Sequence, residues 1–200
     1  MKTLKSIVSV ITALLIGVIV AVVIKATLFQ FAYVAGPSMQ PNLEDRERVA
    51  MFNRAPIRHN SVIIFDAQGE DPNATSHIDY VKRVIGMPGD TVESKNGVLY
   101  VNNRKINHSY IGATERNQGT GNWTLSSLAE QHDWRVKSSK VPKGMYFVLG
   151  DHRSVSNDSR YWGFVQQKKV AGVVKVPFWT STASKRFNVN QAYKTWTADK

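Results

Sequence analysis

Two hundred residues, 42% of them hydrophobic, suffice for one folded domain with an appendage. Cysteine is absent, which excludes disulfides, thiolate metal sites and a cysteine nucleophile. The 26 basic and 15 acidic side chains give a net charge of +11, and residues 135–200 hold 13 of the basic ones against 3 acidic. Such a field favours anionic partners, with anionic membrane lipids expected and wall polymers the alternative. Without a Lys/Arg block, a zinc finger or an RNP-type sequence, no nucleic acid is expected.

In chain order, the first feature is the uncharged run "IVSVITALLIGVIVAVVI" over 7–24. As a helix at about 1.5 Å per residue it is roughly 27 Å long, close to the thickness of a bilayer's hydrocarbon core. Lys2 and Lys5 precede it, and the positive-inside tendency keeps that end in the cytoplasm. Lys25 follows and can snorkel to the far interface. A cleaved secretory signal is the rival reading. Its apolar core is shorter, and no clean Ala-X-Ala site follows here. The expected organisation is a cytoplasmic tip and transmembrane anchor over 1–28, then a β-rich domain over 29–200. That makes a single-pass protein of the cell membrane with its folded domain on the outer face.

The rest reads as many short strands. "LFQFAYVAG" (28–36) is one, running into a kinked loop "GPSMQP". "RERVAMFN" and "NSVIIFDA" are two more, joined by the turn "APIRHN". Residues 67–77 are a polar surface loop. "DYVKRVIGMPGDTVES" is a strand, a Pro-Gly turn and a strand, and "KNGVLYVNNRKI" carries the Asn-Gly signal of a hairpin with alternation at Val98 and Tyr100. Residues 112–140 are polar, with Trp123 and Trp134 scattered through them, and read as an excursion from the main sheet. A strand then feeds a polar loop in "GMYFVLGDHRSVSNDSRYWGFV", and "KVAGVVKVPFWT" is the last strand; the tail from Ser181 has no assignment. The expected fold is mostly β, a compact antiparallel β-sheet or small barrel behind the N-terminal helix.

Ser38, in the kinked loop, is a poor nucleophile unless a base takes its proton. None of His59, His77, His108, His132 and His152 sits in a chymotrypsin, subtilisin or Gly-X-Ser-X-Gly setting. A lysine serves only if burial keeps it neutral. In "DYVKRVIG", Lys82 and Arg83 point to opposite faces of a strand. If one face is core, Lys82 is the better inward residue, because arginine does not shed its charge. The pattern also allows Lys82 to be an ordinary exposed strand lysine. His77 with Asp79 offers only two metal ligands, so no metal and no cofactor is expected.

"GPSMQPNL", "DYVKRVIGMPGD" and "GDHRSVSNDSRYWGFV" resemble, in order, three boxes of the type I signal peptidases, with "RERVAMFN" and "NSVIIFDA" similar to an intervening one. These are membrane-anchored Ser/Lys endopeptidases that remove signal peptides from exported preproteins, and the short anchor looks like the Gram-positive form. The similarity runs from the anchor to about Val176. It implies Ser38 as nucleophile and Lys82 as general base. Met39 and Pro41 would shape the nucleophile loop, and the Ser156 hydroxyl would hold the lysine amine. Asp158 and Arg160 would be a structural pair, with Gly150 and Asp151 opening the same box.

Gly36 stands where some members carry a hydroxyl residue that donates to the oxyanion, and Pro37 has no N–H. The Ser38 N–H is then the one oxyanion donor the resemblance identifies. His152 stands where asparagine is common and Asn42 where threonine is frequent. The implied partners are secretory preproteins with small residues at −1 and −3, added as a strand beside "FAYVAG" and "DYV". Phe31, Tyr33, Ala35, Gly36, Tyr80 and Val81 are the expected cleft residues. LexA-like repressors share the Ser/Lys chemistry but not the anchor. A non-catalytic anchored paralogue or a surface-protein assembly factor would need none of Ser38, Lys82 and Ser156.

Overall fold

The computed structural model describes residues 2–179 and 181–197; the side chains of 2–6, 8, 21 and 23–27 lie outside the described set. Helix α1 (Lys2–Leu28) leads directly into strand β1 (Phe29–Tyr33). Its side chains are described continuously only over 9–20. Among the described residues no helix is long and apolar enough to cross a membrane. The lysines that set the expected orientation lie outside the described side chains.

The body is mostly β, and every strand pair is antiparallel. Strands β1, β2 (Arg48–Phe52), β3 (Val62–Asp66), β4 (Asp79–Gly86), β9 (Met145–Leu149), β10 (Val165–Gln166) and β11 (Val170–Lys175) form one sheet, in the order β1-β2-β11-β3-β4-β9-β10. Strands β5 (Val92–Lys95), β6 (Val98–Val101), β7 (Arg104–Lys105) and β8 (Trp123–Thr124) form a second, in the order β7-β6-β5-β8. The helices α2 (Leu125–Gln131), α3 (Ser159–Trp162) and α4 (Ala183–Asn190) are short.

Both faces of the central strands are covered, which is why "VIIF" is apolar without alternation. Val62 and Ile64 join Met39, Leu43, Val49 and Val174 in one cluster, while Ile63 and Phe65 join Val84, Val148 and Trp162 in another. The stretch 112–140 lies outside the large sheet but is not superficial. It supplies β8 and α2, and Trp123 and Trp134 pack against Phe147 in a third cluster that seats the small sheet on the large one. The tail left unassigned from sequence forms α4. This helix is short and polar and buries only Val189, so it carries no apolar stripe to read.

The Asn-Gly hairpin forms as expected, with Asn96 at φ 51 and Gly97 at φ 76 between Lys95 and Val98. Of the two alternating faces, Leu99 and Val101 are buried and Val98 and Tyr100 half-buried. Tyr100 lies under the Lys95 ammonium. A Cβ at Gly97 would run into the Arg116 carbonyl, whereas one at Gly69, at φ 81, meets open space. In urea denaturation, Gly97→Ala should cost at least about 2 kcal/mol and Gly69→Ala about 1 kcal/mol, the left-handed penalty alone.

Candidate active site

The loop after β1 is fixed from below. Met39 and Leu43 are fully buried, Gly36 N–H donates to Asp45 Oδ1 at 2.8 Å, and the Ser38 carbonyl accepts from His152 N–H at 3.1 Å. Pro41 is exposed and follows a cis peptide bond. Ser38 Oγ is thereby held 3.0 Å from Lys82 Nζ. His152, whose role sequence left open, thus contributes its backbone.

Lys82 is only 4% exposed. Burial lowers its pKa from the ordinary 10.5 to about 8, against the opposing pull of Asp158, Asp71 and Asp151. The choice between Lys82 and Arg83 assumed that one face of the strand is core, but both are. Arg83 is fully buried as well, with Nε 2.7 Å and Nη2 2.6 Å from the two oxygens of Asp151. Its Nη1 donates to the carbonyls of Asn60 and Asn188, and its guanidinium lies 4.0 Å from the centre of the Tyr110 ring. Burial works against that charge, but the Asp151 carboxylate outweighs it and raises the pKa.

The polar loop after β9 is the third wall. Asp158 caps α3 through Arg160 N–H, pairs with the Arg160 side chain at 2.9 Å and accepts from Gly150 N–H at 3.0 Å. Arg160 reaches on to the carbonyls of Gly119 and Arg153. A Cβ on Gly150 would meet the Ser156 side chain and stand 2.6 Å from the Ser38 carbonyl, so only glycine allows this approach. Among the described residues Ser156 Oγ is buried without a hydrogen-bond partner, so its expected contact with the Lys82 amine is not formed.

A cleft of about 460 Å³ opens over Ser38 and Lys82. Tyr33, Ala35, Tyr80 and Val81 line it as expected, together with Ala32, Ile64, Asp79, Val155 and Asn157. Phe31 and Gly36 do not. Phe31 turns to a separate apolar groove with Phe29, Phe52 and Phe178, and Gly36 carries no side chain to present. The cleft wall is stiffened by buried Asp71, which accepts from Tyr80 Oη at 2.9 Å and from Asn157 Nδ2 at 2.6 Å. His77 pairs with Asp66 at 2.8 Å rather than with Asp79.

Sequence reasoning missed Arg83, Asp71 and the roles of Asn42 and Asp151. The available signal was the pair of adjacent basic residues in an otherwise apolar strand. A buried arginine demands a carboxylate, and the Gly150-Asp151 step after a buried strand supplies one.

Because the folded-state pKa of Lys82 is lowered, both states are protonated below about pH 8 and the fold bears the cost of the buried charge. Between about 8 and 10.5 only the unfolded chain holds that proton, so stability rises with pH across this window. A lowering from 10.5 to about 8, at about 1.36 kcal/mol per pH unit, is worth about 3 kcal/mol. Thermal melts should show Lys82→Met stabilising the chain at pH 7 by about 1–3 kcal/mol, with the gain disappearing by about pH 10.5.

A family model described as "Signal peptidase, peptidase S26" matches residues 7–179. Signal peptidase IB of Staphylococcus aureus (strain MRSA252) is 39% identical over 165 residues, covering 78% of this chain and 81% of that protein. Signal peptidase I of Bacillus caldolyticus is 36% identical over 172 residues, 80% of this chain and 87% of that protein. A crystal structure of a signal peptidase I from Enterococcus faecalis V583 is 38% identical, with a TM-score of 0.49, over 60% of this chain and 97% of that one.

Proposed function

The chain belongs to the signal peptidase family, and from that premise we propose that it is a serine endopeptidase removing signal peptides from exported preproteins, with Ser38 as nucleophile and Lys82 as general base. The observation that carries the assignment is the 3.0 Å approach of Nζ to Oγ at a lysine only 4% exposed. Once neutral, Nζ accepts the Ser38 hydroxyl proton as Oγ bonds to the scissile carbonyl carbon. The resulting oxyanion forms against the Ser38 N–H, a contact type worth about 2.7–4 kcal/mol. The Lys82 ammonium then passes its proton to the departing amine nitrogen as the C–N bond breaks. The regenerated neutral amine activates water to hydrolyse the ester.

Two strand edges favour an extended substrate. Among the described pairings β1 bonds only to β2, and residues 79–82 of β4 bond only to β3, because β9 joins β4 from Arg83 onward. A peptide lying between these edges adds as a strand, with alternate side chains directed into the cleft. The cleft lined by Tyr33, Tyr80, Ile64 and Val155 is where we assign the small −1 and −3 residues of the substrate.

The membrane reading belongs to the same proposal. At about 1.5 Å per residue, the 27-residue α1 is roughly 40 Å long. Its described Ile, Leu and Val side chains from Ile7 to Val22 are 50–65% exposed. Helix α1 thus serves as a single-pass anchor, its lysine-bearing start in the cytoplasm and the peptidase domain on the outer face. Phe178 and Trp179 are 75% and 64% exposed beside Phe29, Phe31 and Lys175, amphipathic surface suited to anionic lipid headgroups. A purely binding role would leave the cost of burying Lys82 without compensation.

In a preprotein cleavage assay, Ser38→Ala, Lys82→Ala and Lys82→Arg should each lose at least about 10³-fold in kcat/KM while melting cooperatively. Cleavage by any of them contradicts the assignment. The wild-type kcat/KM should rise with pH through about 8, as Lys82 sheds its proton.

A further inference from the structure

Ser38 and Lys82 arrive on two separate arms, the loop after β1 and strand β4, and their 3.0 Å contact depends on what fixes the arms to each other. The fixing is a closed ring of polar groups. Four residues after Ser38, buried Asn42 donates through Nδ2 to the Tyr110 carbonyl at 2.7 Å and to Asp151 Oδ2 at 2.8 Å. Asp151 in turn holds the fork of Arg83, the residue after Lys82. Asn188 of α4 touches both arms. Its Nδ2 donates to Asn42 Oδ1 at 2.8 Å, and its carbonyl accepts from Arg83 Nη1 at 2.8 Å. We propose that Asn188 is a positioning residue for the Ser38–Lys82 pair, bridging the nucleophile arm and the base arm from a segment beyond the matched residues 7–179.

The segment carrying Asn188 is itself pinned. Val189 is 2% exposed in the cluster beneath the serine loop. Asn190 clamps Val176 through both ends of its amide, at 2.8 and 2.9 Å, and Lys175 Nζ donates to the Asn190 carbonyl at 2.7 Å. Lys185 pairs with Glu44, on the far side of the serine loop, at 2.7 Å. The Asn42 amide needs this partner. Its oxygen faces Asn188 in a buried site, so removing the donor leaves a buried acceptor unsatisfied and releases the loop.

The inference rests on the assignment of Ser38 and Lys82 above. It is tested in the full chain by kcat and KM for preprotein cleavage, with thermal melts in parallel. Asn188→Ala should lower kcat by about ten- to hundred-fold, the effect of a dyad misplaced by about an ångström, with KM changed less than about twofold. Asn188→Ser, like Asn188→Ala, keeps the backbone carbonyl on Arg83 but is too short to reach Asn42, and as a small polar replacement should give the same loss. Asn42→Ala should lose a similar factor, and the double variant Asn42→Ala/Asn188→Ala no more than the worse single one. A folded Asn188→Ser or Asn188→Ala chain with kcat within about twofold of wild type, or losses that multiply in the double variant, overturns the positioning role. That outcome with Ser38→Ala inactive leaves the dyad standing; cleavage by Ser38→Ala removes the dyad itself.

Discussion

The proposed chemistry depends on keeping one lysine amine dry beside one hydroxyl. Burial of Lys82 pushes its pKa down, while three nearby carboxylates, Asp158, Asp71 and Asp151, push it up. Each of the three is already committed. Asp158 is taken by Arg160 and the Gly150 N–H, Asp151 by Arg83 and Asn42, and Asp71 by Tyr80 and Asn157. The acidic groups therefore act on the amine only at a distance, and none bonds to it. An unpartnered carboxylate in the same place would form an ion pair with the ammonium and hold the proton there.

The same commitments build the walls. Asp158 caps a helix and tethers the strand end at Gly150, so the loop carrying the Ser156 side chain and the His152 N–H is fixed against Ser38. Arg83 and Asp151 are both fully buried, and breaking such a pair typically costs about 3–5 kcal/mol. A hydrophobic pair would cost less to bury. A charged fork, however, fixes distance and angle between the strand of Lys82 and the loop after β9 in a way that apolar packing does not. Geometry is thus held in the polar framework, and the proposed Ser38–Lys82 pair sits on the seam between its parts.

How much of this the sequence discloses varies with the range of the interaction. The strands are legible because Val, Ile and Phe runs bounded by Gly, Pro and Asn are local signals, and the Asn-Gly hairpin is the sharpest of them. Which face of the hairpin is buried is not a local signal, because a second sheet, with Trp123 and Trp134 from a remote polar stretch, decides which side is inside. The serine loop and the lysine strand stand out as residues, but the argument that selected Lys82 assumed a single covered face. Arg83 is equally buried because Asp151, 68 residues on, neutralises it. Asn42, read only as an unusual residue in its box, gains meaning from Asn188, 146 residues away. Such long-range polar pairings leave no periodicity, and α4 is too short and polar to leave one of its own.

The most direct measurement is the titration of Lys82 itself. In a Ser38→Ala chain carrying ¹³C at lysine Cε, the Lys82 resonance can be assigned by its loss in Ser38→Ala/Lys82→Met and followed with pH. This account places its midpoint near 8, below the exposed lysines of the same molecule. A midpoint at the ordinary lysine value of about 10.4 would mean that the amine is hydrated and supplies almost no neutral base near pH 8, which contradicts the proposed role of Lys82.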